Sequence, residues 1–333
     1  MMPMKSPNPL AMQPPVFADV LAARNRIRPH LPPTPLHHYP ALDHLLGFHA
    51  YIKHENHQPV GAFKVRGGIN LALQLSEDER QRGLIAASTG NHGQSVAYAG
   101  RLVGAPVIIV APEDADPGKV NAMRGLGAEV ILTGANFDEA RIHCETLVAE
   151  HGYRYVHSGN ERHLIAGVGT HALEMLESEP ELDAIIVPLG GGSGAAGACI
   201  SSKHLSPRTR VIAVQSAQSP AGCRSWHTGE LQTAANECIF GGLATGDATA
   251  FAMPFGILHD LLDDFVLVED EAILQAMAWL LQHAHTLAEG AGAASLAVAH
   301  QLRGQLQGQR VGLICSGGNA AIANLQRALS LLE

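Results

Sequence analysis

Lys64 stands in "HENHQPVGAFKVRGG" (54–68), a stretch of mostly small and apolar residues in a chain with only 22 Lys and Arg among 333 residues. A lysine ordinarily keeps its ammonium in water, because burial without a partner costs several kcal/mol. Two readings therefore stand: a loop lysine pointing to solvent, or a desolvated amine of lowered pKa able to act as nucleophile or general base. Three further stretches have the composition of anion-binding turns. "AASTGNHGQSVAYAG" (86–100), "VPLGGGSGAAGACI" (187–200) and "ICSGGNAAIANL" (314–325) each pass from an apolar run into a polar, glycine-rich turn predicted to open a helix. The N–H groups at a helix start are unpaired and carry partial positive charge, and glycine lets an anion approach the backbone. One such loop alone more often just makes a turn. Three of them, with a lysine preceded by Phe63, point to a phosphorylated or carboxylated ligand. No Walker lysine follows Gly190–Gly194, and Gln215, not an acid, follows the next apolar run, so neither a P-loop nor a dinucleotide fingerprint is supported.

The elements that must position these residues show in the hydrophobic pattern. Short apolar runs at 84–87, 107–111, 129–133, 184–189, 211–214, 265–268 and 311–315 alternate with amphipathic segments such as "KVNAMRGLG" and "AILQAMAWLLQHAHTLA". Buried parallel strands separated by helices produce this rhythm, which predicts an α/β architecture. Length fits two lobes or one large unit. A formal charge of −9 with no basic stripe excludes nucleic-acid and membrane-surface partners. No run approaches the ~18 apolar residues of a membrane span. Five cysteines without a CxxC motif read as reduced core thiols of a cytoplasmic protein, Cys315 included. Residues 1–16, proline-rich and without the apolar core of a signal peptide, read as a flexible tail.

Taken together, these motifs resemble the pyridoxal-phosphate-dependent threonine/serine dehydratase and serine racemase family, from "RIRPHLPPTPL" through "LICSGGNAA". "STGNHGQS" is most similar to the branch acting on larger β-hydroxy amino acids, the phenylserine and hydroxyectoine-utilisation dehydratases. The resemblance implies the two-lobed tryptophan synthase β-like fold (fold type II). Residues 17–79 and 156–333 would form the large cofactor domain, and 80–155 a small, mobile substrate domain. It also implies a homodimer and pyridoxal 5'-phosphate as cofactor. Lys64 would be the Schiff-base lysine and Phe63 would pack near the cofactor ring. Backbone N–H groups of Ser88, Thr89, Gly90, Asn91 and His92 would hold the substrate carboxylate, and the Asn91 side chain would meet the ring hydroxyl. Gly190, Gly191, Gly192 and Ser193 would cradle the phosphate. Ser316 would face the pyridine nitrogen, and Glu289 of "LAEGAGA" would lie at the ring edge. The implied reaction converts a β-hydroxy-α-amino acid to a 2-oxo acid and ammonia; a racemase and a β-replacement enzyme are the alternatives. Thr89 bears on the first, since racemases of this family carry a serine there.

Departures from the family pattern shape further expectations. The racemases' divalent-metal ligands would map near Gln215 and Ala221, which supply no carboxylate, so no metal is expected. Ala62, Gly194, Gly241 and Gly242 would leave room for a bulky substrate if they line the pocket. Histidines such as His37–His38 and His54 with His57 show no zinc spacing and read as surface or core residues. Arg66 reads equally as a support for the Lys64 loop or as surface charge. "FVLVEDEAI" reads as a helix start whose acids favour the dipole.

Overall fold

The computed structural model describes residues 13–332; residues 1–12 of the expected tail lie outside them. All seven apolar runs are strands, and they fall into two sheets. The larger sheet contains β1 (Leu36–His38), β2 (His49–His54), β7 (Ala184–Pro188), β8 (Arg210–Ser216), β9 (Asp264–Val268) and β10 (Arg310–Cys315), in the order β1-β2-β10-β7-β8-β9. Only the β1–β2 pair is antiparallel. The smaller sheet contains β3 (Leu84–Ala87), β4 (Val107–Ala111), β5 (Glu129–Leu132) and β6 (Arg154–Tyr155), all parallel, in the order β5-β4-β3-β6.

The central strands of the larger sheet read as unbroken apolar runs because both of their faces are covered. Side chains alternate along a strand, and here both sets are buried. Ile186, Ile212, Val214 and Leu313 pack into one core. Their neighbours Ile185, Val187, Val211, Ala213 and Ile314 pack into the core on the opposite side. Such strands leave their loops at the carboxyl edge of the sheet, where ligands of open α/β sheets bind. The β2–β10 register, His54 opposite Cys315, releases the chain after each strand side by side. Gly318 N–H then bonds Gly61 O at 2.8 Å, and Phe63 N–H bonds Ser316 O at 3.0 Å. Pairing of the strands thus brings Lys64 and Ser316 to one place although they lie far apart in sequence.

Lys64 opens the helix Lys64–Ala72, which packs against the helices Asn91–Val103 and Arg162–Ser178. The approach to the second requires Gly167: a Cβ there would lie 2.7 Å from Arg66 O and from Gly67 Cα. Arg66 settles as a buried support. Its guanidinium grips Glu55 through two bonds of 2.7 and 2.8 Å and Glu174 through two of 2.7 Å. Lys53 also reaches Glu174, at 2.6 Å. Arg66, Glu55 and Lys53 are almost wholly excluded from solvent. Two cations thus balance two carboxylates, the condition under which buried charge is tolerated.

Two expectations need correction. The amphipathic segment 272–288 does not run through as one helix. The helix Asp270–Ala284 ends at His285, which takes a left-handed φ of 52°, and a short loop delivers Glu289 to the next helix, Gly290–Gln301. The "CSGGN" turn does not open a helix directly either, since the following helix is Ile322–Leu329. The Asn319 side chain, bonded to Val60 O and Asn91 Oδ1, ties this turn to the Lys64 loop instead.

Candidate active site

A cavity of about 300 Å³ lies where the loops of the two sheets meet, and every residue expected to hold cofactor or substrate lines it. Lys64 Nζ donates to Ser193 Oγ at 2.8 Å and to Ser158 O at 3.1 Å. Among the described residues no carboxylate pairs with it, and burial pulls its pKa from 10.5 down to about 8. The Phe63 ring lies beside the amine, 5.4 Å from centroid to Nζ, and meets His171 edge-on.

The loop Gly190–Gly192 precedes the thirteen-residue helix Ser193–Leu205. Its backbone has to be bare: a Cβ at Gly190 would lie 2.4 Å from Gly242 O, at Gly191 2.4 Å from the Phe251 ring, and at Gly192 2.9 Å from Pro254. Gly192 also has a φ of 84°, which side chains rarely adopt. A glycine-lined cradle at the start of a helix suits a phosphate group.

On the facing side, β3 ends in the loop 88–92 that starts the helix Asn91–Val103. Not all five expected backbone donors are available here. Ser88 N–H is committed to Val110 O at 3.0 Å, and Gly90 N–H to Ser88 Oγ at 3.2 Å. Ser88 Oγ also accepts from Gly93 N–H at 2.8 Å, so this hydroxyl shapes the loop. Among the described residues, no group accepts from the N–H of Thr89, Asn91 or His92, so these three, at the start of a helix, remain able to donate to an anion. His92 bonds Val156 O through Nε2 at 2.8 Å and leaves Nδ1 buried without a partner. Burial, aided by the Lys64 charge, lowers its pKa to about 3, so the ring stays neutral.

The Asn91 side chain is held from both ends, donating to Glu289 Oε1 and accepting from Asn319 Nδ2 at 2.8 Å. Burial raises the Glu289 pKa, against the opposing pull of Lys119 and of the Asn91 bond. Ser316 completes the wall, with its carbonyl oxygen fixed by Phe63 N–H.

Several lining or supporting residues were not anticipated from sequence. Ser158 comes from a bend and Phe251 from the short 3-10 helix Ala248–Phe251, neither with a motif. Asn319 was visible in "CSGGN" but its tie to Asn91 depends on the fold. Lys119 left a signal: a cation in the first turn of the helix Pro117–Gly125 opposes the helix dipole. It faces the cavity near Gly90. Of the four small residues expected to open the pocket, Ala62 is buried behind it, bridged to Gly317. The space beside Gly194 is filled by Phe63 and that beside Gly242 by Ala291. Gly241 alone among them has open space where a side chain would be.

A family model described as pyridoxal-phosphate dependent enzyme matches residues 27–317. The chain belongs to this family. Its cofactor is pyridoxal 5'-phosphate. The residues present fit that group: a bare glycine cradle for a phosphate and a desolvated amine share one cavity. L-threonine ammonia-lyase of Thermotoga maritima is 36% identical over 317 residues, covering 94% of this chain and 77% of that protein. L-threo-3-hydroxyaspartate ammonia-lyase of Saccharomyces cerevisiae is 35% identical over 306 residues, covering 92% and 93%. Among solved structures, serine racemase from Dictyostelium discoideum superposes with a TM-score of 0.85 at 32% identity, covering 92% of this chain and 99% of that one. The pyridoxal-phosphate family thus accounts for the two-sheet α/β fold as well as the cavity. No helix of the described residues is long and apolar enough to cross a membrane.

Proposed function

We propose that this enzyme is an ammonia-lyase that eliminates water from a β-hydroxy-α-amino acid, giving a 2-oxo acid and ammonia. The observation that carries the reading is the Lys64 amine, desolvated and, among the described residues, paired with no carboxylate, beside the glycine cradle. Pyridoxal phosphate, when bound, supplies the electron sink that acidifies the substrate's α-carbon. Lys64 holds the cofactor and moves the α-proton at Nζ. A pKa of about 8 leaves roughly a tenth of such amines neutral at pH 7, poised for general-base work. Gly190, Gly191, Gly192 and Ser193 hold the phosphate, and Ser193 Oγ also orients Nζ. The N–H groups of Thr89, Asn91 and His92 bind the substrate carboxylate, which fixes the α-carbon against Lys64.

Phe63 would pack near the ring of the bound cofactor. Ser316 would offer its pyridine nitrogen a hydroxyl, which cannot keep that nitrogen protonated as a carboxylate would. Asn91, locked between Glu289 and Asn319, is pre-organised toward the ring hydroxyl. The lobe of residues 80–155 closes over the substrate and excludes water. The relatives named as ammonia-lyases support the reaction class. The working form is a cytoplasmic homodimer, which sedimentation of the purified enzyme tests. Threonine, serine, threo-3-hydroxyaspartate and phenylserine, in each stereochemical form, make up the assay panel. Release of a 2-oxo acid with equimolar ammonia is expected; no release from any of them overturns the proposal.

Racemisation is the second reading. It is favoured by Thr89, whose hydroxyl-bearing side chain lines the cavity, and by the likeness to serine racemase. L-Serine separates the two: D-serine forming faster than pyruvate favours the racemase.

A further inference from the structure

Away from the cavity, folding gathers three metal-ligating side chains that no catalytic step uses. His38 ends β1, His49 opens β2, and Asp43 lies in the helix Pro40–Leu46 that connects them. In the antiparallel β1–β2 pair His38 stands opposite Tyr51. His49, two residues before Tyr51, therefore projects from the same face. Asp43 is delivered to that face by the tight helical connection, which Gly47 closes with a φ of 79° and an N–H bond to Asp43 O. Its Oδ1 is fixed by Ala50 N–H at 2.9 Å, which aims Oδ2 at His38 Nε2 (2.6 Å) and His49 Nδ1 (2.9 Å). The three ligand atoms all lie within 4.8 Å of one another, the one such set among the described residues. His49 is 60% and Asp43 20% exposed, so the group is open to ions from solution.

We propose that His38, Asp43 and His49 form a binding site for a divalent transition-metal ion of the zinc class, with water completing the shell. Two imidazole nitrogens and one carboxylate oxygen suit zinc, copper or nickel, whereas magnesium and calcium take oxygen ligands throughout. Bonds of about 2.0–2.2 Å to a tetrahedral ion hold ligand atoms roughly 3.3 Å apart. Opening the present separations to that value calls for rotation of the exposed His38 and His49 imidazoles. The bond from Ala50 N–H to Oδ1 is the outer-shell contact that orients a ligating carboxylate. His49 is anchored in turn, its N–H bonded to Gln309 O at 3.0 Å. A metal here clips together β1, the connecting helix and β2, the unit whose far end carries Lys53, His54 and Glu55. The site does not depend on the catalytic reading above.

The test uses the full chain with its cofactor, stripped of metals by chelation, and zinc chloride alone as probe in equilibrium dialysis and calorimetry. One zinc per chain is expected, with a Kd of about 10 μM or tighter, and a rise in the thermal midpoint on adding zinc. His38→Ala and His49→Ala each weaken binding by about tenfold or more and abolish the zinc-dependent rise. His259→Ala, an exposed histidine beside Asp260, leaves both unchanged. His49→Ala is the decisive variant, because its exposed side chain can be removed without opening the core. Zinc binding unchanged in both His38→Ala and His49→Ala, or no stoichiometric zinc in the parent enzyme, overturns the proposal.

Discussion

Replacing Lys64 by methionine keeps the length of the side chain and removes the charge that the cavity desolvates. Burial moves the Lys64 pKa from 10.5 to about 8, and at 1.36 kcal/mol per pKa unit this is a penalty of about 3 kcal/mol on the folded, cofactor-free protein. Lys64 is only partly excluded from solvent, which screens part of that charge, and the bonds to Ser193 Oγ and Ser158 O, worth about 1 kcal/mol each, are lost with it. The expected net gain for Lys64→Met at pH 7 is therefore at most about 1 kcal/mol. The pH dependence follows from proton uptake. Between pH 8 and 10.5 the unfolded chain holds the Lys64 proton more tightly than the folded one, so wild-type stability rises with pH through that window. Below pH 8 the penalty is present in full. Urea unfolding of cofactor-free wild type and variant at pH 7 and pH 10 measures this. The variant should be the more stable at pH 7, with the difference shrinking or reversing at pH 10. A variant less stable at pH 7 by the same margin at both pH values would refute the claim that the lysine is held desolvated.

Three further outcomes are expected. Arg66→Ala strands the buried Glu55 carboxylate and half-frees Glu174, costing about 3–5 kcal/mol and lowering the thermal midpoint by roughly 5–10 °C; Arg66→Lys recovers only part, because a lysine cannot grip both carboxylates in pairs. Gly191→Ala drives a methyl to within 2.4 Å of the Phe251 ring, so fluorescence titration should show pyridoxal phosphate bound at least about tenfold more weakly, while affinity for phosphate-free pyridoxal changes little. Burial raises the thiol pKa to about 12 for Cys144 and to about 11 for Cys223 and Cys238, and also raises those of Cys199 and Cys315. A thiol reagent at pH 7.5 should therefore react slowly with all five in native protein and at once in denatured protein.

The strands that sequence reveals are those whose two faces are both apolar; the rest were hidden for physical reasons. β2 reads "HAYIKH", too polar for a buried strand, because Lys53 and the Glu55 that follows it are neutralised by Glu174 and Arg66 across the fold. β1 and β6 have three and two residues, too few to show a period. At the site, the glycine loops and Lys64 were legible because a bare backbone and a misplaced lysine each leave a local mark. Ser158, Asn319 and Phe251 leave none, since their roles arise from contacts made only when the sheets assemble. The commitment of Ser88 N–H to Val110 was equally invisible, as it depends on how far β4 extends alongside β3. The convergence of His38, Asp43 and His49 follows the same rule: separated by five and six residues, they meet only because a helical turn folds between two paired strands.

Whether Lys64 holds the cofactor is read from the mass of the peptide carrying it after borohydride reduction of the purified enzyme. Reduction should fix a phosphopyridoxyl group on Lys64 alone, with the visible absorbance of the protein lost on reduction and altered in Lys64→Ala. A modified residue other than Lys64, or an unmodified Lys64 in enzyme that still releases a 2-oxo acid from a β-hydroxy amino acid, would contradict this role of Lys64.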